Sequence, residues 1–122
     1  MDFALSEEQT AIFDMAYAFG QEHIAPFARD WEAQGTIPKE LWPRIGELGF
    51  GGLYVSEENG GSGLSRLDAT LVFEALSMAC PSVAAFLSIH NMCMKMIDTF
   101  GSDALKARLL PEGMALQKIY SY

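Results

Sequence analysis

Apolar residues recur at three- and four-residue steps along most of the chain, and that spacing predicts helices. The first stretch puts Ile12, Phe13, Ala16, Tyr17, Gly20, Ile24, Phe27, Ala28 and Trp31 on this pattern, with Asp14, Glu22, Arg29, Asp30 and Glu32 on other faces. It opens on Ser6-Glu7-Glu8-Gln9, the pattern of a capping box, in which Ser6 caps the helix and Gln9 reaches back. Phe3 or Leu5 is placed to close it as a staple. Pro26 lies inside the pattern and predicts a kink or a split near His23–Ala25. Gly35 ends the segment.

A second helix is expected to start at Pro38, with Leu41, Trp42, Ile45 and Leu48 as its stripe and Gly49 as its stop. Pro43 fits only if that helix begins close to it. Phe50–Val55 reads as a short extended apolar linker, and Ser56–Gly63 as the clearest loop in the chain. Ser65–Ala79 predicts a third helix with Leu67, Leu71, Val72, Ala75, Leu76 and Ala79 inward, stopped by Pro81. Ser82 then caps a fourth helix running to Phe100. That helix is nearly apolar all round, interrupted by His90, Asn91, Lys95 and Asp98, and such helices are normally buried against several others. Gly101 and Ser102 form a stop and a new cap for a short fifth helix, Asp103–Leu110, ended by Pro111. Glu112–Tyr122 is open between an irregular tail and a strand starting at Lys118. The expected fold class is therefore all-α, an orthogonal or up-down bundle of about five helices. The expected division is a helical domain over 1–111 and a linker over 112–122.

The length of 122 residues suits one domain, and half of the residues are apolar, enough for one core. The net charge of −8 argues against nucleic-acid binding and against a polybasic membrane contact. No run of about 18 apolar residues exists, so no membrane-spanning helix is expected. Asp2, Glu7 and Glu8 stand where a signal peptide would be basic, so none is expected. Cys80 and Cys93 are too few for a disulfide scaffold and lack zinc-site spacing. Both read as buried thiols in a reducing compartment.

Four groups offer candidate chemistry. Asn59-Gly-Gly-Ser-Gly63 invites a phosphate-loop reading, but its spacing matches no phosphate motif and no lysine follows, so a plain turn is favoured. His90 and Cys93 share a helix face as a Cys–His pair would, without a third group to orient the imidazole. A satisfied core histidine is favoured. Met92 and Met96 share one face and Met94 points elsewhere; ordinary packing competes with the lining of an apolar pocket. Glu57 and Glu58 read as solvated loop acids. No constellation within the chain supports catalysis.

Read in order, the segments resemble the N-terminal helical domain of the acyl-CoA dehydrogenase family. Leu5-Ser-Glu-Glu-Gln9 is similar to the family's opening, and His23-Ile-Ala-Pro26 to its E-x-I-A-P element. Ile37–Trp42 with Gly46–Gly49 is similar to its second helix. Val55–Leu64 resembles its P-E-E-Y-G-G-x-G loop, with Ser56 in place of proline. Phe100-Gly101 and Lys106–Pro111 resemble its F-G-[ST]-x-x-x-K-x-x-[YF]-L-P element, while Glu112–Gln117 matches loosely. The details most resemble members that act on short or branched acyl groups.

The resemblance implies a reaction in which two hydrogens leave the Cα–Cβ bond of an acyl-CoA thioester. A glutamate takes the α proton, FAD takes the β hydrogen as hydride, and electrons pass to an electron-transfer flavoprotein. The family's C-L-T-E-P-G-x-G-S-D motif, which begins a middle β domain, is expected just beyond Tyr122. The resemblance thus implies a fragment without the catalytic glutamate and most FAD contacts, inactive alone. It also implies a homotetrameric full enzyme in a bacterial cytoplasm or a mitochondrial matrix. By register from Phe100-Gly101, it assigns the wall around the acyl tail to Ala84, Ala85, Ser88, Ile89 and Met92. This face alternatively packs on the family's C-terminal domain. Two other functions stay open: a standalone helical interaction module without flavin or activity, and a flavin oxidase or monooxygenase of the same superfamily.

Overall fold

The computed structural model describes residues Asp2–Tyr122. It contains six α-helices and, among the described residues, no strand: α1 (Glu7–His23), α2 (Ala28–Gln34), α3 (Leu41–Glu47), α4 (Arg66–Ser77), α5 (Pro81–Phe100) and α6 (Asp103–Met114). The all-α reading is borne out, with one helix more than expected.

The capping box at α1 forms as the sequence predicts. Ser6 Oγ accepts from the Gln9 amide at 3.1 Å, and Gln9 Oε1 accepts from the Ser6 amide at 3.0 Å. Pro26 splits the first apolar stretch, and α1 ends at His23. Pro43 lies within the first turn of α3, where a missing N–H costs no helical bond. That requirement moves the helix start from Pro38 to Leu41, leaving Pro38–Glu40 as a turn.

Four further expectations are corrected. Phe50–Val55 is not extended; it opens with a 3₁₀ turn over Phe50–Gly52, because side chains of α5 bind its backbone at three points. Leu67 is 64% exposed rather than inward, two residues before the buried stripe of α4 begins at Ala69. Pro81 does not stop α4; it opens α5 as an N-terminal residue, and Cys80 takes the cap position in place of Ser82. Pro111 does not end α6. The helix continues to Met114 because Leu110 and Gly113 are buried on either side of the proline, and packing outweighs one lost bond. The strand considered at Lys118–Tyr122 does not form, since this tail runs alone as irregular backbone.

The main core joins Ala16 and Ile24 of the α1 region, Trp42 and Ile45 of α3, Val72 and Leu76 of α4, and Val83 and Leu87 of α5. A smaller cluster of Val55, Met94 and Leu110 lies between the glycine loop, α5 and α6. Backbone approach is close where α3 and the Phe50–Gly52 turn meet the end of α6. A Cβ at Gly51 would overlap the Met114 carbonyl, and one at Gly46 the Ala115 carbonyl. Only glycine fits there.

Candidate functional site

The fourth predicted helix, α5, has two faces of opposite character. Its inward face carries Val83, Leu87, Met94 and three buried polar residues, His90, Asn91 and Asp98. Its outward face carries Ala85, Ile89, Met96 and Phe100 exposed, with Ser88 and Met92 half-buried. The helix repeat sets this division: residues 85, 88, 89, 92 and 96 fall within one side of a 3.6-residue wheel. Ala84 lies at the edge of that face and joins the core. Of the five positions that the resemblance assigns to an acyl-tail wall, four thus stand outward together, and the fifth, Ala84, is turned inward. The Ser88 hydroxyl donates to the Ala85 carbonyl of its own helix at 2.8 Å, which leaves the face largely apolar. The Tyr122 hydroxyl lies 3.9 Å from Met92 Sδ at one edge. Beside the start of α5, Phe86 packs on Trp42 with ring centroids 5.6 Å apart. There a groove of about 1070 Å³ opens between α2, α3 and the tail.

The three polar residues fix how that outward face is held. Asn91 Oδ1 accepts from the Leu53 amide at 2.8 Å, and Asn91 Nδ2 donates to the Phe50 carbonyl at 2.9 Å and the Leu87 carbonyl at 3.0 Å. Asp98 accepts from the Ser56 amide at 3.1 Å, the Ser56 hydroxyl at 3.1 Å and Asn59 Nδ2 at 2.7 Å, with Lys95 Nζ at 3.7 Å. Burial alone would raise the Asp98 carboxyl; the hydrogen bonds from Asn59 and Ser56 and the Lys95 charge outweigh it and hold it below the usual carboxylate range. The sequence pattern marked Asn91 and Asp98 only as interruptions of an apolar helix, whereas His90 is the satisfied core histidine that was favoured. The signal available was their spacing: positions 90, 91 and 98 share one side of α5 with Val83, Leu87 and Met94.

The glycine loop proves to be a structural turn. The amides of residues 59–64 all donate to backbone carbonyls within the protein, Gly61 to Ser56 at 2.9 Å and Gly63 to Val55 at 2.9 Å among them. None is left to cradle a phosphate. Glu57 and Glu58 are exposed on it.

His90 and Cys93 do not form a nucleophilic pair. Both nitrogens of the imidazole are taken by backbone groups, and burial pushes the Cys93 thiol up. Cys93 is a buried thiol as expected, whereas Cys80 is only half-buried. Met94 is buried and Met96 is 50% exposed, so the methionines do not converge. Among the described residues no three metal-binding side chains come together, and no helix is long and apolar enough to cross a membrane.

Residues 6–116 match the family model for the acyl-CoA dehydrogenase N-terminal domain. The chain belongs to this family. Among curated relatives, the mitochondrial isobutyryl-CoA dehydrogenase of Dictyostelium discoideum is 46% identical over 97% of this chain, and the bovine (Bos taurus) protein of the same name is 42% identical over the same share. The chain spans 28% of the length of each. A solved glutaryl-coenzyme A dehydrogenase–glutaryl-CoA complex superposes with a TM-score of 0.89 at 32% identity, covering 98% of this chain and 31% of that one. PigA with FAD and proline superposes at 0.88 and 32% identity, covering 98% of this chain and 32% of that one. The acyl-CoA dehydrogenase N-terminal fold thus accounts for all six helices, including the one that the sequence pattern merged with α1.

Proposed function

We propose that this chain is the helical N-terminal part of a flavin-dependent dehydrogenase that acts on a short or branched acyl-CoA, with 112–122 linking it to the rest. In this reading the outward face of α5 is one wall of the acyl pocket, and Ala85, Ser88, Ile89 and Met92 line it with Ala84 at its edge. The observation that supports it is that the domain builds its core without this apolar face. Small residues at 84, 85 and 88 leave room, and Ile89 and Met92 shorten the space, which suits a short acyl group. The identity to isobutyryl-CoA dehydrogenases supports the same substrate class.

The residues present do not fit the role of a flavin anchor. The glycine loop spends its amides internally, and its carboxylates would repel a pyrophosphate. FAD, when bound, supplies the acceptor for the β hydrogen. The part of this chain is to exclude water from the acyl tail and to set its length, since a dry site strengthens polarisation of the thioester carbonyl. Electrons then pass to an electron-transfer flavoprotein, and the full enzyme is a homotetramer in a bacterial cytoplasm or a mitochondrial matrix. A second reading is a flavin oxidase or monooxygenase of the same superfamily; the likeness to PigA with FAD and proline supports a flavin enzyme on this fold whose ligand is not an acyl-CoA.

The test is steady-state kinetics of the full-length gene product on a series of acyl-CoA thioesters. Met92→Ala should shift preference toward longer chains by roughly 10-fold or more per added methylene. An unchanged profile refutes the wall assignment. A purified product without flavin and without dehydrogenation refutes the enzyme reading.

A further inference from the structure

His90 is fully buried, and its ring joins three separate segments. Nε2 faces the Gly113 carbonyl at 2.9 Å and the Gly51 carbonyl at 3.1 Å, so it carries the proton and donates to both. Nδ1 accepts from the Tyr120 amide at 3.1 Å, so it carries none. The partners therefore select one neutral tautomer. The Tyr120 ring stacks on the imidazole with centroids 5.9 Å apart and planes 12° apart. Four residues before Tyr120, Leu116 is buried at φ 53, a left-handed conformation that a leucine holds only when its surroundings impose it. The segment after α6 is thus held by tertiary contacts.

We propose that His90 is a pH-sensitive latch that holds the segment 115–122 against α5, and that protonation of Nδ1 releases it while the helical core stays folded. The proton converts Nδ1 from acceptor to donor, and it then opposes the Tyr120 N–H. Burial makes that proton unwelcome, and the hydrogen bonds to Gly113 and Gly51 act in the other direction. The groups that face the ring or flank it are few. The tail brings the Tyr120 phenol, which donates to the Leu109 carbonyl at 3.4 Å, and α5 brings Cys93 one turn on. The end of α6 and the tail carry the Glu112–Lys118 pair at 2.7 Å, and the Phe50–Gly52 turn brings backbone only. Release would open the groove beside Trp42, which Leu116 and Ile119 line, and would free Met92 of Tyr122. The inference stands on this chain's geometry and does not depend on the enzymatic reading.

Hydrogen exchange read by mass spectrometry between pH 7.5 and 4.5, corrected for intrinsic rates, tests it. Protection of the peptide spanning 115–122 should stay constant above pH 6.5 and fall at least tenfold by pH 4.5, while peptides from α1 and α4 keep theirs. His90→Gln retains a donor and does not titrate, so its tail should lose that pH dependence; His23→Gln should keep it. A wild-type tail that is unchanged across the range overturns the proposal. So does loss of protection in the tail and in α1 and α4 at the same pH, or a His90→Gln tail that follows the wild type.

Discussion

Replacing Asn91 by leucine tests how α5 is held. The two side chains are close in size, so the exchange removes hydrogen bonds and opens little space. Asn91 is fully buried, and its amide pairs with the Leu53 N–H and the Phe50 carbonyl, both on a turn that has no ladder partner at those atoms. Leucine leaves both groups buried and unpaired, at about 1–3 kcal/mol each. The third partner, the Leu87 carbonyl, keeps its own helical bond to the amide of residue 91. Added apolar burial returns roughly 1 kcal/mol. The expected net loss is about 3 kcal/mol, a large fraction of the roughly 5–15 kcal/mol that stabilises a domain. With about 2.1 cal/mol/K of unfolding entropy per residue, this corresponds to a fall in Tm of about 12 °C. Urea unfolding followed by tryptophan fluorescence, with Trp42 in the core, measures it directly. An unchanged slope with a lower midpoint is expected. A loss below about 1 kcal/mol would refute the reasoning, because at least one of the two groups must then find another partner at no cost.

Asp98→Asn should cost about 1–2 kcal/mol, since the amide keeps one acceptor and loses the charge that strengthens the bonds from Ser56 and Asn59. Because the folded Asp98 carboxyl sits below its ordinary value of 3.8, its contribution is complete above that pH and is lost as pH falls through the folded value. The variant should therefore show a flatter acid limb in thermal melts; an identical limb would count against Asp98 as its source. His90 acts with the same sign through the opposite chemistry. Its folded value lies below 6.5, so the unfolded chain takes the proton first and stability declines as pH drops below about 6.5. Gly51→Ala places a methyl against the Met114 carbonyl and should cost about 1–3 kcal/mol in urea unfolding. A neutral result would show that the end of α6 yields.

The sequence by itself determined the helices and most of their ends. Apolar spacing, the Ser6 and Ser102 caps and the Pro26 break are local, and a local signal needs no distant partner to act. It also determined the family, because five short elements stand in one order. Only the tertiary structure decided what the polar residues of α5 do. His90, Asn91 and Asp98 find their partners between 20 and 45 positions away, at Gly113, Leu53 and Ser56. No window along the chain contains both ends of such a bond. The same distance explains the misread segments. Phe50–Val55 has the composition of an extended linker but coils because α5 binds its backbone, and α6 passes through Pro111 because packing on both sides outweighs the break. Positions 85, 88, 89 and 92, proposed to line the acyl pocket, were legible as one helical face, whereas the burial of Ala84 was not. Which way that face turned was set by the opposite side of the helix, where three buried polar groups must stay paired.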